Sequence, residues 1–162
     1  MKPQSILQQE RSAVDVSEVS DTEILAEYVK RFTIKAGESI RSAKEAADHL
    51  RSYFSDASKK ERFVVIFLNG QHQLLTTEVL FEGSLTNSAV YPREVITRVI
   101  ELGSAAVILA HNHPSSCTTP SSSDRAVTKK LQTALEAIDV AVLDHLVIGG
   151  SEHYSFADNR LL

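Results

Sequence analysis

The sequence predicts an α/β protein, with a mixed β-sheet flanked by helices and a helical extension at the N-terminal end. After residue 60, apolar runs of strand length and segments of helical periodicity follow in the order β-β-α-β-α-β-β. One run, SAAVILAH at 104–111, is continuously apolar, which is typical of a strand covered on both faces. Before residue 60 the periodicity is helical only.

Composition limits the classes of protein to consider. With 162 residues and 43% hydrophobic side chains, the chain is long enough for one domain with a true core. Its net charge of −4 does not favour direct DNA binding. A single cysteine, Cys117, excludes an intrachain disulfide framework. Because no apolar run approaches the roughly 20 residues of a membrane span, we expect a cytoplasmic protein without membrane contact. The sequence leaves the oligomeric state open.

Three parts are expected along the chain. Residues 1–20 are polar and lack aromatic side chains, which indicates a flexible arm. Residues 21–56 form a helical segment: DTEILAEYVKRF at 21–32 has helical periodicity with Asp21 placed to cap it, and SAKEAADHLRSYF at 42–54 repeats the pattern. The α/β domain occupies residues 57–162.

The domain opens with a predicted β-hairpin. Two β-rich runs within RFVVIFLNGQHQLLTTEVLF, at 62–81, lie on either side of Asn69 and Gly70. Both residue types tolerate positive φ, so we expect a type I′ turn at this dipeptide.

The remaining elements follow in order. VYPREVITRVIELG at 90–103 predicts a helix, with Pro92 in its first turn and Gly103 at its end. A buried strand at 104–111 comes next. DRAVTKKLQTALEAI at 124–138 predicts an amphipathic helix. Two further strands are expected at 140–150 and at 153–158.

The loop after the buried strand carries the chemistry. In an extended segment, side chains two residues apart point the same way, so His111 and His113 project together from the strand end. Ten residues separate His113 from Asp124, enough for the chain to turn back and bring a carboxylate to the imidazoles. Two histidines and one carboxylate, with a fourth position open, form the ligand set of a catalytic Zn²⁺ site.

A helix cap explains part of the same pattern without a metal. Ser121 and Asp124 have the spacing of a capping box, in which Asp124 replaces the usual glutamate. An aspartate in the first turn of a helix is also electrostatically favourable. Spacing alone therefore leaves the metal site and the helix cap open.

The motif HNHPSSCTTPSSSD resembles the JAMM motif of the MPN/JAB metallopeptidase-like superfamily. Together with VLFEGSLTNSAVYPREV and VLDHLVIGG it resembles more narrowly the RadC-like branch, over residues 60–160 in one collinear order. The short chain is most similar to compact prophage-type members, which lack the helix-hairpin-helix region. The resemblance implies a RadC-like MPN/JAMM domain at 57–162, with a cytidine-deaminase-like fold.

The resemblance also implies roles for individual residues. His111, His113 and Asp124 would bind Zn²⁺, and Ser121 would position the water or stabilise the oxyanion. The upstream glutamate of the motif, which is the general base, has two candidates. Glu94 is preferred to Glu82, because relatives present this glutamate in a Pro-x-Glu at the start of a helix.

The implied function is that of a zinc-dependent JAMM metalloprotease, in which an activated water attacks an amide or isopeptide bond of a peptide or protein substrate. The alternative is a non-catalytic or DNA-associated accessory module of DNA repair or mobile elements. The chain departs from its relatives at Tyr91, where they usually have histidine, and at Ser116, where they usually have glycine. Cys117 lies in the same loop, and its role stays open, as does the substrate.

Overall fold

The structure is a computed structural model that describes residues 16–55, 60–83 and 90–162. Most of the expected flexible arm, and the expected boundary between residues 56 and 57, lie outside these residues. At the start of the described chain, Val16–Glu18 forms one 3₁₀ turn. Among the described residues, no helix is long and apolar enough to cross a membrane.

The elements follow the predicted order. Two helices, α1 (Asp21–Phe32) and α2 (Ala43–Leu50), precede the sheet, and the 3₁₀ turn Arg51–Phe54 continues α2. The remaining elements are β1 (Arg62–Leu68), β2 (Leu74–Glu82), α3 (Pro92–Leu102), β3 (Ala106–Asn112), α4 (Ser122–Glu136), β4 (Ala141–Gly149) and β5 (Glu152–Ser155).

The sheet is mixed, as the sequence predicts. Its strand order is β2-β1-β3-β4-β5. β3 and β4 are parallel and the other neighbours are antiparallel. A parallel pair needs a crossover connection, and α4 provides it. The α/β fold class is therefore confirmed.

Helices cover both faces of the sheet, because side chains alternate along each strand. One face packs against α2 and the other against α3 and α4. The α2 side takes Val64, Ile66 and Leu68 of β1 with Ala106, Ile108 and Ala110 of β3. The opposite side takes Phe63, Val65 and Phe67 with Val107 and Leu109.

Two local predictions were wrong. The cap of α1 is Ser20 rather than Asp21: its hydroxyl accepts from the Glu23 N–H, and the Glu23 side chain accepts from the Ser20 N–H. The hairpin is not a type I′ turn at Asn69 and Gly70. β1 and β2 are joined by residues 69–73, with positive φ at His72 (57°), because the Asn69 side chain accepts backbone N–H groups within the loop.

His49 is a buried histidine that ties the helical extension to the sheet. Its Nδ1 accepts the Ile34 N–H at 3.0 Å, so the ring hydrogen lies on Nε2, 2.8 Å from the Thr77 hydroxyl. With 1% exposure, its burial lowers the pKa from 6.5 to about 4. The folded protein therefore holds His49 neutral.

This burial predicts a loss of stability in mild acid. As pH falls from 6.5 towards 4, the unfolded chain takes up a proton at His49 that the folded chain excludes. The free energy of unfolding should therefore fall by up to about 1.4 kcal/mol per pH unit from this residue. His49→Gln should be less stable at pH 7 but lose less stability between pH 6.5 and 4, as urea denaturation at each pH will measure. His72→Gln, in the exposed turn, is the control, and equal pH dependence of His49→Gln and wild type would contradict this assignment.

Candidate metal site and its surroundings

The end of β3 brings two histidines together, as the strand spacing predicts. His111 is fully buried and His113 is partly exposed. Their Nε2 atoms lie 3.0 Å apart. The His113 N–H continues the ladder to β4 by donating to the Ile148 carbonyl. Both imidazole rings are therefore carried by backbone that is hydrogen-bonded to β4, and not by a free loop.

Asp124 comes from the first turn of α4. The helix begins at Ser122, two residues before the predicted start, because Ser121 is its N-cap. The Ser121 hydroxyl accepts the Asp124 N–H, and both the Ser121 N–H and hydroxyl donate to Asp124 Oδ2 at 2.7 Å. The capping box that the sequence offers as an alternative is thus present.

The same carboxylate also faces the histidines. Asp124 Oδ1 lies 3.4 Å from His111 Nε2, and Oδ2 lies 3.5 Å from His113 Nε2. Burial would raise the pKa of Asp124, but hydrogen bonds to His111 and His113 outweigh this effect and hold the pKa far below its usual range. In turn, Asp124 raises the pKa of His113, chiefly through the hydrogen bond between them. Asp124 therefore serves both in the capping box of α4 and as a candidate metal ligand.

The geometry of the three side chains fits a metal ion. One ligand atom from each of His111, His113 and Asp124 lies within 4.8 Å of the others. Two zinc ligands at 2.0–2.1 Å, spread at a tetrahedral angle, are about 3.3 Å apart, which is close to the separations given above. His113 Nδ1 donates to the Cys117 carbonyl at 2.6 Å, so a neutral His113 presents the lone pair of Nε2 to the other two side chains, and only the protonated ring donates from Nε2 to Asp124. Three such ligands leave a fourth position open.

The residue just before β1 brings a carboxylate that the sequence analysis missed. A cavity of about 440 Å³ is lined by Glu61 together with His113, Ser121 and Asp124. The pairing of Phe63 with His111 explains this position, because the antiparallel register continued by two residues sets Glu61 beside His113, on the same face.

Asn112, between the two histidines, holds the peptides on either side of Glu61. Its Oδ1 accepts the Arg62 N–H at 2.7 Å, and its Nδ2 donates to the Lys60 carbonyl at 3.3 Å. The three side chains of the tripeptide therefore have different roles. Those of His111 and His113 face Asp124, and that of Asn112 fixes the backbone segment around Glu61.

The two glutamates considered from the sequence lie elsewhere. Glu94 does not line this cavity: its side chain is 52% exposed and forms an ion pair with Arg93. Glu82 is also exposed and pairs with Arg62 and Lys60 across β1 and β2. Among the described residues, Glu61 is the only glutamate lining the cavity. A signal for it exists in the sequence, since Glu61 precedes β1 by one residue and shares the parity of Phe63 and Val65, which face the α3 and α4 side.

The three residues whose roles the sequence leaves open, Tyr91, Ser116 and Cys117, have distinct surroundings. Tyr91 is 48% exposed, beneath the Arg93 guanidinium. Ser116 has a left-handed φ of 62°, a conformation that favours glycine, the residue that the family resemblance leads us to expect there. Cys117 is exposed, and its pKa is lowered chiefly by a hydrogen bond from the Thr119 backbone. Its carbonyl, and not its thiol, is the group that contacts the site.

Behind the site lies a chain of buried polar contacts. His111 Nδ1 is 2.8 Å from Nε2 of His145, which is fully buried. Nδ1 of His145 is 2.5 Å from the Thr128 hydroxyl, which itself donates to the Asp124 carbonyl at 2.6 Å. Burial holds the pKa of His145 well below its ordinary value, so this ring is neutral.

The chain resembles known proteins over most of its length. The family model for the RadC-like JAB domain matches residues 40–161. The chain belongs to this family. The resemblance to RadC-like proteins that the motif blocks indicate is confirmed by this match. JAB domains of the wider superfamily include metallopeptidases, which agrees with a His-His-Asp group at the expected place.

Several relatives carry the name UPF0758. The chain is 44% identical to UPF0758 protein YfjY of Escherichia coli strain K12, over 79% of each chain. It is 53% identical to a UPF0758 protein of Haemophilus influenzae strain PittEE, over 64% of this chain and 47% of the relative. For a UPF0758 protein of Vibrio parahaemolyticus the identity is 44%, over 78% and 56%. The chain therefore spans about half the length of the Haemophilus and Vibrio proteins.

Metal binding can be tested on the site itself. We expect about one equivalent of Zn²⁺ per chain, and its loss in His113→Ala, because that change removes one of the three candidate ligands. His113 is not in the core, so the melting temperature in a chelator should change little. His72→Ala is the matched control in an exposed turn. Elemental analysis after zinc loading and dialysis measures the effect, and equal zinc in wild type and His113→Ala would exclude this site.

Gly149 supports the site loop from β4. A Cβ atom there would lie 2.5 Å from the Ser116 carbonyl oxygen and 2.9 Å from the Thr118 side chain. Gly149→Ala should therefore displace the loop whose Cys117 carbonyl holds His113, costing about 1–3 kcal/mol and weakening zinc binding. Gly70→Ala, where a Cβ meets nothing within 4 Å, is the control. Zinc affinity and urea denaturation measure both, and wild-type values for Gly149→Ala would contradict the loop's role.

Proposed function

We propose that the protein is a metal-dependent hydrolase of JAMM type, which cleaves an amide or isopeptide bond in a peptide or protein. The observation that carries the proposal is the convergence of His111, His113 and Asp124 beside a cavity that Glu61, His113 and Asp124 line. A divalent ion with an open position, next to a carboxylate outside the ligand set, is the arrangement that hydrolysis of a carbonyl compound needs.

Zinc is the ion that this ligand set favours, since two imidazoles and one carboxylate suit it. When bound, Zn²⁺ would polarise a substrate carbonyl and lower the pKa of a water molecule to about 7. His111, His113 and the ionised Asp124 would hold it. A two-metal phosphodiesterase normally uses more carboxylates, and none joins this group among the described residues.

Glu61 is proposed as the acid and base of the reaction, in place of Glu94 or Glu82. A carboxylate on the cavity wall beside His113 can accept a proton from the attacking water and return it to the leaving amine. The hydrogen bonds from Asn112 to either side fix the backbone that carries it. Its position therefore depends on the pairing of β1 with β3.

Ser121 is proposed to position Asp124. The sequence analysis assigns it to the water or the oxyanion, but its single hydroxyl hydrogen is donated to Asp124 Oδ2. It can donate to an oxyanion only if that bond breaks. Its contribution is therefore to orient the carboxylate towards the histidines.

The proposal predicts different outcomes for two glutamates. Glu61→Gln should keep zinc and stability but lower hydrolysis by about 10²–10⁴-fold, because the proton acceptor is lost. Glu94→Gln is the matched control, and its turnover should stay near that of wild type, since Glu94 pairs with Arg93 in solvent. The measurement starts from a panel of fluorogenic peptides and isopeptide-linked conjugates with zinc-loaded wild type.

Three results would count against the proposal. Wild-type turnover by Glu61→Gln together with an inactive Glu94→Gln would show that Glu94, in α3, is the general base. Activity that survives complete removal of metal would exclude the metal-dependent mechanism. Zinc-loaded wild type that cleaves no member of the panel, but binds DNA, would favour the accessory module.

A further inference from the structure

Two buried residues behind the site, Thr128 of α4 and His145 of β4, reach none of the atoms that face the candidate metal position. His145 pairs with Leu109 in the sheet, and its ring stacks on Phe156 at 4.9 Å between centroids. Its two nitrogens nevertheless connect His111 to Thr128. Both nitrogens of this fully buried ring therefore have hydrogen-bond partners, as buried polar groups normally do.

The hydrogen atoms along this chain can be placed from chemistry alone. The Asp124 carbonyl can only accept, so the Thr128 hydroxyl uses its one hydrogen there. The Thr128 oxygen must then accept from His145, which places the hydrogen of that ring on Nδ1. A neutral His145 consequently has a bare Nε2.

The next link reaches the site. The bare Nε2 of His145 can only accept, so His111 donates to it from Nδ1. A neutral His111 with its hydrogen on Nδ1 presents the lone pair of Nε2 towards His113 and Asp124. The reverse direction would place a hydrogen on His111 Nε2 and block it as a ligand.

We infer that Thr128 and His145 are positioning residues, which fix the tautomer of His111 so that its Nε2 is free to bind a cation. The inference rests on the proposed function for the identity of that cation, but not for the direction of the hydrogen bonds. It also gives Asp124 two roles. Its carboxylate faces the histidines, and its backbone carbonyl sets the direction of the hydrogen bonds behind them.

The test compares Thr128→Val with Thr128→Ser. Valine keeps the shape of threonine but removes the hydroxyl, which leaves His145 Nδ1 without its acceptor and frees the ring to reverse. Zinc binding, measured by competition with a chromophoric chelator, should weaken about 10–100-fold, the usual effect of losing a partner of a ligating histidine. Thr128→Ser, which keeps the hydroxyl, should restore affinity close to that of wild type. Melting temperatures in a chelator separate this effect from a loss of folding.

A second measurement needs no variant. Long-range ¹H–¹⁵N correlations of the histidine rings in the metal-free full chain should show His145 with its hydrogen on Nδ1 and a bare Nε2. A hydrogen on Nε2 of His145 would overturn the inference, as would wild-type zinc affinity in a folded Thr128→Val. If wild type binds no metal, the proposed function fails, and the tautomer of His145 still decides this inference by itself.

Discussion

The parallel pairing of β3 with β4 is the constraint on which the site depends. A parallel pair cannot be closed by a tight turn, so the chain must leave β3, cross one face of the sheet as a helix and re-enter beside it. The first turn of α4 is thereby held near the end of β3, where the strand's last side chains are still in register. The loop between His113 and Ser121 then turns the chain around, and its Cys117 carbonyl holds the His113 ring.

Backbone pairing on the other side of β3 has an equally direct effect. Since β1 is antiparallel to β3, the start of β1 lies at the end of β3, and an acidic residue just before β1 reaches the same cavity. The side chain of Asn112 replaces a further pair of ladder bonds at this point. The start of β1, the end of β3 and the start of α4 thus meet through main-chain geometry, and their side chains add the chemistry.

Local patterns in the sequence predict the elements well, because burial on one or both faces sets the spacing of apolar residues. They also predict that His111 and His113 share a direction, which is a property of one strand. Glu61, which the sequence analysis missed, lies just before a different strand, and its place beside His113 depends on a register that no local pattern contains. The turn after β1 was mispredicted for a related reason, since the Asn69 side chain competes with the backbone for the same N–H groups.

The double use of Asp124 has an evolutionary consequence. Ser121 and Asp124 would be retained by selection for a stable helix start even in a relative that had lost its metal, because the capping box needs no ion. His111 and His113 take no part in that capping box, so a stable helix start gives no reason for either histidine to persist. The presence of both histidines is therefore the better sign that a relative still binds a metal. An intact serine–aspartate pair does not distinguish a metal-binding relative from one that has lost its metal.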